Sequence, residues 1–187
     1  LGAIKGAGEA ALECMITERE EKGAFTDLFD FCRRIDLRKA SRRVLEPLIK
    51  TGALDKLGPS RAVMMASLDG AIKSAERHST DSAVGQNDIF SSLAGTKKQT
   101  KELPFVKNVS EWEQAKRLNY EKECLGFYLS GHPITPYLPE LAKLKCTSLI
   151  EVKPTNHKQT VRIAGWVTQV RMSTKHGGGR MAFVTLD

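Results

Sequence analysis

A pair of glycines close to the start of the chain restricts its fold more than any other feature. Gly6 and Gly8 bracket a tight turn, the apolar Ile4 precedes it, and a helix-forming run begins at Glu9. Glycine adopts positive φ freely and lets another group approach the backbone without a Cβ in the way. A turn at a helix N-terminus also offers free N–H groups and the positive end of the helix dipole, which favour an anion. The pattern predicts either a phosphate-binding helix-hairpin-helix turn or an ordinary glycine turn between packed helices.

The residues after this turn have helical periodicity with recognisable ends. We expect helices over 9–22, from a cap at Thr26 or Asp27 to Arg34, from a cap at Ser41 to Gly52, over 60–77 and over 110–125. Ser110 and Glu113 have the spacing of a capping box, and Pro133 would stop the last helix. The predicted core positions are Leu12, Met15, Ile16, Leu28, Phe29, Phe31, Cys32, Val44, Leu45, Leu48, Ile49, Val63, Met64, Leu68, Ala71 and Ile72.

Beyond the helices, the pattern changes to the alternation that is typical of strands. From Thr160 apolar residues alternate along the chain, Gly177–Gly179 form a turn, and a second strand covers 181–187. Two strands alone are marginally stable, so we expect the truncated start of a larger β-domain and an internal piece of a longer protein. The predicted regions are 1–78, a linker over 79–104, a helical connector over 105–158, and the β-region over 159–187.

Composition favours an acidic partner and argues against several kinds of site. The chain has 29 Lys and Arg against 22 Asp and Glu, a net charge of +7, which suits a polyanion. The four cysteines include no CxxC, and the histidines lack metal-ligand spacing, so no metal site is expected. No P-loop, nucleotide-binding glycine motif or catalytic triad is present, and we expect no catalytic residues. No segment has the length of a membrane span, so we expect no membrane partner and a cytoplasmic location.

A basic joint between the second and third predicted helices is the first of three further candidate sites. It contains Arg33, Arg34, Arg38, Lys39, Arg42 and Arg43, opposed only by Asp36. The joint lies where a second, irregular hairpin turn would be, and two such turns would contact one nucleic-acid backbone twice. The alternative is a solvated charged surface.

The second and third candidates lie in the linker and in the β-region. Gln86, Asp88, Ile89 and Phe90 belong to an apolar motif inside a polar stretch, which predicts a short peptide ligand for a grooved partner. The alternative is that Ile89 and Phe90 fold back onto the helices. Arg171, Lys175 and Arg180 surround the terminal glycine turn, where curved strands could bind single strands.

Several motifs in one order resemble a known family. They are the turn at 1–8, Phe29–Arg34, Arg42–Leu45, Leu48–Asp55, Gln86–Phe90, Glu123–Pro133 and Arg180–Asp187. Together they closely resemble the carboxy-terminal part of the alpha subunits of bacterial DNA polymerase III, the C family of replicative DNA polymerases. The resemblance extends over essentially the whole chain.

This resemblance implies a fold and a set of partners. The fold would be mainly α, with a tandem helix-hairpin-helix domain followed by the truncated start of an OB-fold β-barrel near single-stranded template DNA. Duplex DNA would contact Lys5, Gly6, Ala7, Gly8, Arg34, Arg38, Lys39, Arg42 and Arg43. Gln86, Asp88, Ile89 and Phe90 would dock in the sliding clamp, although the family usually has leucine or methionine at the position of Ile89. Other replicase subunits are also implied partners.

The resemblance places the chemistry elsewhere in the parent protein. The palm domain of a DNA-directed DNA polymerase, with its Mg²⁺-binding aspartates, would lie upstream, so this segment would need no cofactor of its own. The segment would hold duplex DNA and tether the polymerase for processive synthesis. Two other hypotheses remain open at this point: a non-catalytic accessory module of DNA repair or recombination, and a purely structural interdomain scaffold.

Overall fold

The structure is a computed structural model that describes residues 2–83, 105–148, 150–153, 160–174 and 178–187, with side chains up to residue 80 in the first range. The chain divides into two compact units, Leu1–Leu129 and Ser130–Asp187. The first unit is helical, and the second contains short helical segments and a two-stranded sheet. The predicted mainly helical class is therefore confirmed for the described residues.

The described residues of the first unit contain five helices, and the sequence predicts the starts of the first four to within one residue. They are α1 (Glu9–Lys22), α2 (Leu28–Arg34), α3 (Arg42–Lys50), α4 (Arg61–Ala83) and α5 (Gln114–Leu125), with a 3₁₀ turn at Asp55–Leu57. Asp27 caps α2, because its carboxylate accepts a hydrogen bond from the Asp30 N–H at 2.8 Å. Ser41 occupies the cap position of α3 without donating or accepting a side-chain cap bond.

The predicted end of α4 and the predicted start of α5 were wrong, whereas the predicted end of α5 at Leu125 is confirmed. α4 continues to Ala83, so it crosses the predicted boundary between 78 and 79. α5 begins at Gln114 rather than near Ser110, because the Glu111 carboxylate accepts a hydrogen bond from the backbone of Arg61 at 3.1 Å and holds the preceding segment extended. Gly126 ends α5 with φ +87° and donates its N–H to the Lys122 carbonyl, so the stop comes well before Pro133.

The core of the first unit lies between α2, α3 and α4. Its largest fully buried apolar side chains are Phe31, Leu28, Leu45, Leu48, Ile49, Met64 and Leu68. The predicted core is confirmed at these positions, but Ile16 is 37% exposed and Val63 and Ile72 are only partly buried. The hydrophobic periodicity therefore predicted the correct buried face of each helix but overestimated burial at positions on the edge of that face.

A buried ion pair joins α5 to the first four helices. Glu121, which is fully buried, accepts a hydrogen bond from Arg61 Nη1 at 3.3 Å and another from the Leu129 N–H at 2.8 Å. Arg61 also donates to both carboxylate oxygens of Asp55 at 2.8 Å. Residues 105–129 consequently pack in the helical unit, whereas the sequence placed them in a separate connector.

The second unit contains a 3₁₀ turn at Thr135–Tyr137, α6 (Leu138–Lys143), β1 (Val167–Thr174) and β2 (Arg180–Leu186). The two strands are antiparallel, with Val170 opposite Val184. The prediction that the first strand begins at Thr160 was wrong. The backbone of Arg162 accepts a hydrogen bond from Thr147 instead, while Trp166 exchanges two backbone hydrogen bonds with Asp187 next to the end of the sheet.

Candidate nucleic-acid interface

The predicted turn before α1 has the backbone geometry that its glycines suggested. Gly6 has φ +87°, and the Ala7 N–H donates to the Ile4 carbonyl at 3.1 Å. Ile4 is buried and fixes the turn to the core. Gly8 is the extended N-cap of α1, with no side chain to cap the first N–H groups. The positive end of α1 is therefore open to an anion from outside the chain.

The two glycines of this turn differ in their surroundings. A Cβ added to Gly8 would meet no other atom within 4 Å, so nothing in the described fold requires glycine there. A Cβ on Gly6 would lie 3.6 Å from the Arg43 carbonyl oxygen and 3.7 Å from Pro47 Cγ on α3. The first turn therefore lies directly beside the start of α3, which the basic joint precedes.

The basic joint forms a second turn with a similar plan. Ile35 is buried, as Ile4 is in the first turn. The N–H groups of Lys39 and Ala40 donate to the Asp36 carbonyl at 3.0 and 2.9 Å. Ser41 is extended at the N-cap of α3, again without a side-chain cap. Each turn thus combines a buried isoleucine with a helix N-terminus that no side chain caps.

The charged side chains of the joint have distinct environments. Arg38 is 92% exposed and donates only to its neighbour Asp36 at 3.2 Å, which lowers the pKa of that carboxyl. Lys39 and Arg43 are exposed. Arg42 is bonded to Asp69 and Glu46, and hydrogen bonding to these carboxylates raises the pKa of its guanidinium. Arg38, Lys39 and Arg43 are consequently the cations most available to a phosphate backbone.

Arg34 is occupied within the fold. Its guanidinium donates to the backbone carbonyls of Glu18, Ala24 and Gly23 at 2.9 to 3.2 Å and to the Glu18 carboxylate at 3.1 Å. It also lies 4.4 Å from the centre of the Phe25 ring. The side chain is only 17% exposed, so its role is to hold the α1–α2 connection. Arg34 is therefore not available to a phosphate, although the sequence placed it among the candidate DNA contacts.

A cluster of cations and aromatic rings on α3 and α5 was not predicted from the sequence. Lys50 Nζ lies 4.7 Å from the centre of the Tyr120 ring, and Lys116 Nζ lies 5.8 Å from it. The spacing of four residues between Lys116 and Tyr120 is a weak signal for their contact on one helix face. Lys50 comes from another helix, which no local pattern predicts.

The other candidate residues are described only in part. Gln86, Asp88, Ile89, Phe90 and Lys175 lie outside the described residues. In the sheet, Arg171 pairs with Phe183 and Arg180 pairs with Thr174. Because side chains alternate between faces along a strand, Arg171 and Arg180 lie on opposite faces of the sheet.

Two observations bear on other functions. Within the described ranges, no group of three or more His, Cys, Asp or Glu side chains could hold a metal ion. None of the described helices combines the length and apolar character that crossing a membrane requires.

Comparison with known proteins connects this geometry to a family. A family model for the helix-hairpin-helix motif matches residues 1–64, a range that contains both turns. The DNA polymerase III alpha subunit of Vibrio cholerae is 45% identical over 187 residues, which are 100% of this chain and 16% of that protein. The alpha subunits of Pasteurella multocida and Escherichia coli K12 are 41% and 40% identical, with the same coverage.

The chain thus spans 16% of the length of these relatives. The matched region runs through the helical unit, the linker and the sheet, because it covers 100% of the chain. The resemblance first drawn from separate motifs is confirmed: along its whole length, the chain matches one segment of the bacterial DNA polymerase III alpha subunits.

Proposed function

We propose that this chain is a duplex-DNA-binding segment of a replicative DNA polymerase, which binds the phosphate backbone through its two helix-hairpin-helix turns. The observation that carries this proposal is the pairing of two uncapped helix N-termini, at Gly8 and Ser41, with Gly6 seated beside Arg43. Each N-terminus offers backbone N–H groups to a phosphate oxygen. Exposed Lys5, Lys39 and Arg43 supply the charge.

Binding of this kind depends on salt and not on base sequence. Phosphate contacts release counterions, so the logarithm of the binding constant falls with the logarithm of salt concentration by about 0.9 for each phosphate neutralised. Phosphate contacts carry no sequence information, so we expect duplex affinity to vary little with base sequence. A repair accessory module would use the same contacts, and the similarity to polymerase alpha subunits favours the polymerase.

The sharpest test of the turn is Gly8→Ala. The added Cβ meets open space in the free protein, so the thermal midpoint should stay at the wild-type value. In the complex it would separate a phosphate from the α1 N-terminus, and affinity for a labelled duplex should fall about fivefold, which corresponds to about 1 kcal/mol. Gly2→Ala is the matched control, because a Cβ at Gly2 also meets open space and Gly2 lies outside Lys5–Gly8, the residues proposed to contact DNA. Equal duplex affinity for both variants, measured by fluorescence anisotropy, would contradict phosphate binding at Gly8.

We also propose that Gln86, Asp88, Ile89 and Phe90 dock in the sliding clamp, with the parent polymerase held on DNA by this tether. Two apolar anchors beside an amide suit a hydrophobic cleft, and tethering raises the local concentration of the enzyme at its template. Gln86→Ala with Phe90→Ala should abolish retention on immobilised clamp. Asn87→Ala, at a position that the motif leaves open, should bind as wild type. Retention of the double variant would remove the docking assignment.

The proposal also includes the sheet. Its two strands would be the first two strands of an OB-fold that contacts single-stranded template. Arg171 lies opposite Phe183, a pairing of cation and aromatic ring that suits a single strand. The polymerase reaction, its Mg²⁺ ions, its cytoplasmic location and its other subunits are properties proposed for the parent protein. Arg171→Ser should weaken binding to a single-stranded oligonucleotide in gel-shift titrations, and an unchanged affinity would argue against this face.

A further inference from the structure

We propose that the surface formed by Lys50, Lys116, Tyr120 and Trp112, here called the Tyr120 patch, is a second phosphate-binding surface that continues the DNA path from the first hairpin turn. This inference rests on the proposed DNA binding and adds a surface that neither turn contains. Its ligand is the sugar-phosphate backbone of duplex DNA. The argument depends on how the patch is built, on its continuity with the turn, and on its unbalanced charge.

The aromatic rings of the patch hold two ammonium groups in place. Tyr120 and Trp112 stack edge to face with ring centres 4.7 Å apart. Lys50 Nζ lies 4.7 Å from the Tyr120 ring centre, and Lys116 Nζ lies 5.8 Å from both ring centres. A cation over an aromatic face is attracted by the ring quadrupole, which reduces the freedom of a long lysine side chain. Two positive charges are therefore positioned beside one ring before any ligand binds.

The patch is continuous with the first hairpin turn. The Lys5 N–H donates to the Cys124 carbonyl at the end of α5 at 2.8 Å, which fixes the turn to the helix that carries Tyr120. On α3, Arg43, Pro47 and Lys50 lie along one face, because they are spaced by four and three residues. Arg43 and Pro47 flank Gly6, and Lys50 reaches Tyr120. The face of α3 thus connects the turn to the patch over about 10 Å, at 1.5 Å per residue.

The charge along this line is mostly positive. Lys5, Arg43 and Lys116 are exposed, and within the described residues none of the three forms an ion pair. Lys50 is paired with Glu123 at 3.4 Å; the Lys50 side chain is 20% exposed and the Glu123 side chain is 64% exposed. Because the carboxylate of this pair is open to solvent, the pair is weak and can be exchanged for a phosphate. Because lysines already cover the ring of Tyr120, the patch is suited to phosphates and not to stacking of bases.

The test compares two pairs of substitutions that remove the same charge from the 187-residue chain. Lys50→Ser with Lys116→Ser removes the cations of the patch. Arg19→Ser with Lys56→Ser is the matched control, because both residues line a separate groove beside Phe25 and Leu57. Binding to a labelled duplex is measured by anisotropy across a salt series. The patch pair should reduce the salt slope by about 1.8, or 0.9 for each lost phosphate contact, and the control pair should leave it close to wild type.

Two further measurements separate the possible outcomes. Tyr120→Phe keeps the ring face and should preserve the wild-type slope, and a circular dichroism melt checks the fold of each variant. If Gly8→Ala weakens binding while the patch pair behaves as the control pair does, the Tyr120 patch is overturned and the hairpin proposal stands. If the wild type shows no salt-dependent duplex binding, both are overturned. Stronger binding to single strands than to duplex, lost in the patch pair, would overturn a duplex ligand for the patch.

Discussion

Gly52→Ala is expected to be among the most destabilising single changes in the helical unit. Gly52 follows α3 with φ +81°, and a Cβ there would overlap the Arg61 guanidinium, at 2.5 Å from Cζ. The same Cβ would lie 2.8 Å from Asp55 Oδ2. Arg61 could not remain between Asp55 and Glu121, so the substitution removes the cation from the buried carboxylate of Glu121.

Two contributions give the expected loss of unfolding free energy. An alanine held at positive φ costs about 1–2 kcal/mol of stability. Displacing one partner of a buried ion pair costs about 3–5 kcal/mol, because the other charge is left desolvated. Gly52→Ala should therefore lower the free energy of unfolding by about 4–7 kcal/mol, a large part of the 5–15 kcal/mol that is typical of a domain.

Gly126→Ala is the matched control for this experiment. Gly126 also follows a helix and has φ +87°, but a Cβ there meets nothing within 4 Å. It should cost only the backbone contribution of about 1–2 kcal/mol. Urea unfolding followed by far-ultraviolet circular dichroism gives both values. A difference between the two variants below about 0.5 kcal/mol would refute the steric argument.

A double-mutant cycle tests the same mechanism from the other side. In an Arg61→Met background, the flexible thioether leaves room beside Gly52, and the buried pair is already lost. The excess cost of Gly52→Ala over Gly126→Ala should then shrink by several kcal/mol, because the two changes act on one contact. Simple additivity of Gly52→Ala and Arg61→Met would show that Gly52 acts independently of Arg61.

Three other predictions each follow from the surroundings of one residue. Burial, assisted by the charge of Asp27, raises the pKa of the Cys32 thiol to about 12 from 9.0. The free energy of unfolding should therefore fall as pH rises through that interval. Cys32 should also react with a thiol reagent only after the protein unfolds. Gly70→Ala, at an exposed helical position with open space around it, should raise the unfolding free energy by about 0.5–1 kcal/mol in urea titrations. Arg34→Met should lower the thermal midpoint and leave the salt slope of duplex binding unchanged, whereas a reduced slope would return Arg34 to the interface.

The sequence by itself determined the turns, caps and helix faces whose structure depends on residues close together in the chain. Gly6 at positive φ and the apolar faces of α2 and α3 follow from spacing alone, and spacing limited the α2 cap to Thr26 or Asp27. The order of short motifs also identified the family, because that order is a property of the sequence itself. The turn, the cap and the helix faces were predictable since each depends on groups within about one helical turn.

Only the tertiary structure determined the different roles of residues that belong to the same local sequence pattern. Arg34 and Arg43 both belong to the basic joint, yet Arg34 is bound by carbonyls of the α1–α2 connection and Arg43 lies exposed beside Gly6. The capping-box pattern at Ser110 failed because Glu111 bonds to Arg61, fifty residues earlier in the chain. The first hairpin turn gained its neighbours Arg43 and Cys124 through packing. Such partners lie far apart along the chain, and chain packing brings them together in ways that no local periodicity records.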